Sequence, residues 1–127
     1  MQEGEIPIGA VVVCRGDIIG RGHNLTETLR DVTAHAEMQA ITAAAESLGG
    51  KYLNECTLYV TVEPCVMCAG ALGWAQMGRV VFGAHDEKHG YQRFAPEALH
   101  PKTEVTEGVL EEECRELMLE AFKKMRN

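Results

Sequence analysis

Apolar and β-branched residues open the chain in two short runs, Ile8 to Val13 and Ile18 to Gly22, separated by the turn chemistry of Arg15-Gly16-Asp17. That pattern predicts a β-hairpin. No apolar period runs from Asn24 to Thr33, which reads as a loop, and Thr33 suits the N-cap of the segment that follows. From His35 to Leu48 the residues Met38, Ile41, Ala45 and Leu48 recur at helical spacing, predicting an amphipathic helix that buries this stripe and stops at Gly49-Gly50. Thr57 to Val62 alternates as a strand does. Glu63-Pro64 ends it, and Pro64 fits the first position of a second helix. That helix runs to about Gln76, is apolar nearly all round, and is expected to be buried.

Past Gly78, Arg79 to Gly83 predicts another strand. His85 to Lys102 reads as loop, punctuated by Pro96 and Pro101, and a short strand lies around Val105. The last segment carries Leu110, Cys114, Leu117, Ala121 and Met125 on one helical stripe. Its acids, Glu111 to Glu113, come early and its bases, Lys123, Lys124 and Arg126, come late, an order that complements a helix dipole. Hairpin, helix, strand, helix, strand, strand, helix is the pattern of one α/β domain spanning residues 1–127. A chain of 127 residues can bury one hydrophobic core and is too short for two.

Composition narrows the function classes. The net charge of −7 argues against broad, non-specific attraction to nucleic acid. Local basic patches remain: Lys123, Lys124 and Arg126 at the end, and Lys88, His89 and Arg93 within the long loop. No apolar run reaches membrane-spanning length, and Met1 to Glu5 is acidic rather than signal-like, so the expectation is a cytoplasmic protein. The five cysteines cannot all pair, and Cys14, Cys56 and Cys114 read as small core residues.

Cys65 and Cys68 are different. Three positions apart at a helix start, they share a face where unpaired N–H groups favour thiolates. Alone, such a pair fits a redox couple, half of a structural zinc site or half of a catalytic one. No second Cys-x-x-Cys exists, which excludes an all-cysteine zinc ribbon. His35-Ala36-Glu37, at the start of the other helix, tips the balance. A histidine there completes three protein ligands and leaves a fourth position for water, the arrangement of catalytic zinc. Residues two apart on a regular helix point nearly opposite ways, so His35 and Glu37 can face one pocket only if His35 stands at the non-ideal helix entrance.

His-x-Glu followed by Pro-Cys-x-x-Cys is the signature of zinc nucleobase deaminases. The chain resembles the cytidine deaminase superfamily, and most closely its bacterial tRNA-specific adenosine deaminases. The resemblance runs in order through Glu5 to Val11, Thr33 to Glu37, Leu58 to Gly70, Arg79 to Ala84 and Thr106 to Leu110. It implies a three-layer fold, with a mixed sheet of about five strands and helices on its faces. It implies Zn2+ on His35, Cys65 and Cys68, with Glu37 as the proton shuttle. It also implies substrate-binding positions at Asn24, Ala36, Glu63, Pro64 and Asp86, with an ordinary turn asparagine as the less favoured reading of Asn24. The family is commonly dimeric, with its active sites near the subunit contact, and a homodimer is expected here.

Three departures from the family pattern stand out. The family's helix before the first strand is absent, so either the chain is trimmed or something else covers that sheet face. If nothing does, the face should expose apolar side chains. Leu72-Gly73-Trp74-Ala75 resembles bacterial guanine deaminases, with Trp74 either core or lining the base pocket. His89-Gly90-Tyr91-Gln92-Arg93-Phe94 replaces a run rich in glycine and serine. There Arg93 and Phe94 could stack on unpaired bases or form a lid.

The leading expectation is conversion of adenosine to inosine at the tRNA anticodon wobble position, with Lys123, Lys124 and Arg126 on phosphates. The runner-up is a deaminase of free bases or nucleosides (cytosine, guanine or a related purine). A non-catalytic, zinc-stabilised RNA-binding subunit is a third reading, and Glu37 speaks against it.

Overall fold

The computed structural model describes residues 8–109. The predicted hairpin forms from β1 (Gly9–Cys14) and β2 (Asp17–His23), joined through Arg15 and Gly16, both at positive φ. β3 (Cys56–Val62), β4 (Arg79–Ala84) and β5 (Glu104–Thr106) complete a five-stranded sheet of order β2-β1-β3-β4-β5. β1 runs antiparallel to β2 and β3, whereas β3, β4 and β5 are parallel, so the sheet is mixed as expected.

Two helices carry the chemistry: α2 (Ala36–Leu48) packs on β1 and β2, and α3 (Val66–Trp74) touches α2. Two single-turn helices interrupt stretches that the sequence reads as loop. They are α1 (Thr26–Leu29) and α4 (Tyr91–Phe94), each too short to show a period. No helix among the described residues is long and apolar enough to cross a membrane. The last predicted helix, with Leu110, Cys114, Leu117, Ala121, Met125 and the tail bases, lies outside the described residues.

Helix α2 buries a different face from the one its large side chains suggest. Ala36, Ala40 and Ala44 are fully buried, whereas Met38, Ile41 and Ala45 are half-buried and Leu48 is exposed. The reason lies on β2. A Cβ at Gly20 would run into the Ala40 carbonyl and the Ala44 amide, and one at Gly22 into the Ala36 carbonyl. Glycine on the strand and alanine on the helix let the two backbones approach closely, and larger residues are displaced to the flanks.

Other boundaries shift for local reasons. Thr33 does not cap α2: its hydroxyl donates to Asp31 Oδ1 (2.7 Å), and the cap position belongs to His35, with extended φ, ψ of −75° and 156°. Pro64 precedes α3 rather than opening it, since Cys65 is the cap and Val66 the first helical residue. The helix ends at Trp74, and Gln76 turns left-handed (φ 55°). Nor is α3 buried all round. Cys68, Ala69 and Leu72 face inward, but Val66 is 42% and Trp74 85% exposed. Trp74 is therefore not a core residue.

Core packing gathers Val12, Leu58, Val80 and Phe82 of the sheet with Leu53, Leu72 and Met77. Cys14 and Cys56, direct partners across β1 and β3, are buried, and burial together with contact with Cys14 pushes the Cys56 thiol up to about 12. They are small core residues, as expected. On the other sheet face Tyr59 and Val109 are exposed, Val11 is half-buried and Val81 is buried. Val11, Tyr59, Val81 and Val109 line an open groove of about 490 Å³.

Candidate active site

The carboxyl end of β3 and the amino ends of α2 and α3 converge on one place. His35 caps α2 and Cys65 caps α3, each with extended backbone, while Cys68 lies inside the first turn of α3. The extended cap is what lets His35 and Glu37 share a pocket: His35 leaves the helical path just before Glu37 enters it. The His35 Nδ1 atom is 3.6 Å from Cys65 Sγ and 3.5 Å from Cys68 Sγ. All three ligand atoms lie within 4.8 Å of one another.

This triad fits zinc. Tetrahedral bonds of about 2.3 Å to sulfur and about 2.0–2.1 Å to nitrogen place sulfur and nitrogen roughly 3.6 Å apart. The observed separations of 3.6 and 3.5 Å are those of a tetrahedron edge. Without metal the two thiols compete for a proton. The Cys68 hydrogen bond pulls the Cys65 thiol down to about 5, and Cys68 is pushed far up by the same bond and by burial. A divalent cation held there would replace that shared proton and draw both groups to the thiolate.

Glu37 is 4% exposed. Burial pushes its carboxyl up to about 7, the Cys65 charge adds to the rise, and a backbone hydrogen bond, His35 and Cys68 oppose it. Such a group near neutrality both accepts and returns a proton, which is what a general acid/base needs. Ala36, between His35 and Glu37, is fully buried against β2.

The entrance to α2 is held by a residue that the sequence pattern did not single out. Gln39 Nε2 donates to the carbonyls of His23 (2.6 Å), Ala34 (3.2 Å) and His35 (3.4 Å). That clamp, with Leu25 N donating to Ala34 O (2.9 Å), docks the segment carrying Asn24 beside the His35 cap. Asn24 itself is buried, and its backbone N–H donates to Ile8 O (3.1 Å). Nothing in a lone helical glutamine announces such a role.

The loop from His85 to Phe94 reaches the same site from the other side. Cys65 pairs with Gly90 in an antiparallel bridge, and Tyr91 N donates to Pro64 O (3.0 Å). Asp86 is spent on its own loop, where Oδ1 accepts from the N–H groups of Lys88 and His89 (3.1 Å each). Arg93 donates to Glu87 O (2.9 Å) and sits 5.2 Å from the centre of the Phe94 ring; both side chains are exposed. Trp74 is exposed too, and among the described residues no ring contact involves it. Lys123, Lys124 and Arg126 lie outside the described residues.

Comparison with known proteins gives a consistent picture. The family model of the cytidine and deoxycytidylate deaminase zinc-binding region matches residues 1–84. The tRNA-specific adenosine deaminase of Bacillus subtilis (strain 168) is 46% identical over 98% of this chain and 81% of its own length. A structure solved in a study of A-to-I editing by tRNA:A34 deaminases at the wobble position of transfer RNA superposes with a TM-score of 0.79. It is 43% identical, over 87% of this chain and 83% of its own. The guanine deaminase of Nitrosomonas europaea superposes with a TM-score of 0.74 at 27% identity, over 89% of this chain and 71% of its own.

Proposed function

The chain belongs to the cytidine and deoxycytidylate deaminase family and is a zinc-dependent hydrolytic deaminase; on that footing we propose that it converts adenosine to inosine in the anticodon loop of a tRNA, at the wobble position. The carrying observation is similarity to a tRNA-specific adenosine deaminase over nearly the whole chain, joined to an intact triad with its proton shuttle. A merely zinc-stabilised binding module has no use for a buried carboxyl such as Glu37.

His35, Cys65 and Cys68 hold the metal. Zinc held there would supply an acidified water. Glu37 would take one proton from water as its oxygen adds to the amidine carbon of the base. Glu37 would pass that proton to the ring nitrogen, then carry the remaining hydroxyl proton to the amine, which leaves as ammonia as the C–N bond breaks and the C=O bond forms. The segment with Asn24 and the loop from Asp86 to Phe94 stand on either side of this centre and flank the extruded base. A base already splayed in a loop costs little to extract, so a small acidic domain suffices. The exposed Arg93–Phe94 pair offers a stacking platform beside it.

The enzyme works as a cytoplasmic homodimer through α3, whose Val66 and Trp74 present apolar surface to solvent in the single chain. Purine-base deamination is the second reading, favoured by the likeness to a guanine deaminase. Ammonia release against anticodon stem-loops, free bases and nucleosides decides between them. Turnover of the adenosine stem-loop is expected, and efficient turnover of guanine or cytosine with the stem-loop untouched overturns the proposal.

A further inference from the structure

Glu63 is nearly fully buried at the carboxyl end of β3, two residues before a zinc ligand, where a carboxylate could be taken for a substrate contact. Its oxygens are already engaged by the protein. Oε1 accepts from the backbone N–H of Asp86 (3.1 Å) and lies 3.4 Å from His85 Nδ1, and Oε2 accepts from the backbone N–H of Gln92 (3.0 Å). These donors come from both ends of the 85–92 loop. The backbone of Glu63 completes the hold, its N–H donating to Ala84 O (2.8 Å).

The loop is shaped to receive this carboxylate. A Cβ on Gly90 would collide with the Glu63 carboxylate and with the Asp86 carbonyl, so only glycine lets the loop close over it. Gly90 is also the residue that bridges Cys65. The surroundings brace the clamp: His85 packs edge-on against Phe82 (5.2 Å), and Gln92 Nε2 donates to Glu107 Oε2 (2.7 Å). Among the described residues no buried side-chain nitrogen or oxygen is left without a partner.

We propose that Glu63 is a positioning residue: it acts on substrate binding without touching substrate, by fixing the 85–94 loop against the turn that carries Cys65. The substrate side of this rests on the deaminase reading given above; the clamp itself does not.

The test uses the zinc-loaded protein and three variants, Glu63→Ala, Glu63→Gln and Gly90→Ala. Three quantities are measured: zinc content, residue-resolved amide exchange by NMR, and steady-state kinetics on an adenosine stem-loop. Glu63→Ala should speed exchange of the Asp86 and Gln92 amides by roughly 10-fold or more, since each loses a charged, buried acceptor. Glu63→Gln keeps one acceptor oxygen and should release only one of the two amides. In each variant KM should rise about 10-fold, with kcat within about 3-fold and zinc still one per chain. Gly90→Ala breaks the same contact from the loop side and should reproduce the pattern, even if Glu63→Ala proves too unstable to study. Unchanged exchange at Asp86 and Gln92 in all three variants overturns the proposal, as does a loss confined to kcat or to zinc. If the unaltered protein leaves the stem-loop untouched, the tRNA reading fails, while the exchange measurement still decides the clamp.

Discussion

At the residue scale the proposed site divides its labour among three ligands and one carboxyl. Cys65→Ser or Cys68→Ser should lose zinc and lower the melting temperature, because the ion ties two helix starts together. Metal analysis and calorimetry check this, and full zinc retention in both would refute the ligand assignment. Glu37→Gln should keep its zinc and lose turnover by about 10²–10⁴-fold or more, since one group serves several proton transfers. The same residue gives a pH signature in the metal-free protein. The carboxyl binds its proton more tightly folded than unfolded, with its pKa raised from 4.5 to about 7. Folding therefore takes up a proton in that window, and the Glu37 contribution to stability falls as pH rises from 4.5 to about 7. Metal-free Glu37→Gln should thus gain on the unaltered protein across this window, by about 3 kcal/mol at the upper end. Denaturation curves that stay parallel at every pH would contradict it.

At the element scale the position of α2 decides whether His35 and Glu37 are where chemistry needs them. The seat is glycine on β2 against alanine on α2, with backbone atoms at the contact. Gly20→Ala should cost about 1–3 kcal/mol of stability, because the obstruction is helix backbone rather than a side chain that can swing away. It should also depress kcat, since the helix moves with its cap. Equilibrium unfolding together with kinetics reads both effects, and a neutral Gly20→Ala would mean that α2 is held elsewhere. The predicted stripe of Met38, Ile41, Ala45 and Leu48 has the right period and the wrong phase, since period reports a helix and not how close its neighbour comes. Pattern found the strands within a residue or two, because alternation on a half-buried sheet is read directly in sequence. It could not find α1 and α4, whose single turns rest on tertiary contacts such as Tyr91 N to Pro64 O.

At the scale of the whole molecule, exposed Val66 and Trp74 on α3 are the surface through which two copies should meet. Trp74→Glu should shift sedimentation velocity from dimer to monomer while zinc content stays the same, and an unaltered protein that is monomeric at micromolar concentration would refute the dimer. On the proposed tRNA reading, RNA affinity in a chain of net charge −7 has to come from local bases. Neutralising Lys123, Lys124 and Arg126 to glutamine should weaken stem-loop binding and flatten its dependence on salt, by about 0.7–0.9 in log–log slope for each phosphate no longer neutralised. A slope that does not move would assign the phosphates to other basic residues.

What the sequence determined alone is the set of candidate residues: His35, Cys65 and Cys68 as ligands and Glu37 as the proposed proton shuttle are legible because metal coordination and proton transfer demand fixed residue types at fixed spacings. Alternation and turn residues likewise determined the order of the strands along the chain, since these are local properties. Tertiary structure decided what depends on distance across the chain. It set the phase of α2 through a glycine strand, and it turned Trp74 outward by packing the opposite side of α3. It also occupied Glu63 with the backbone of a loop more than twenty residues away in sequence. A side chain's type says what bonds it can make; only the fold says which partner arrives first.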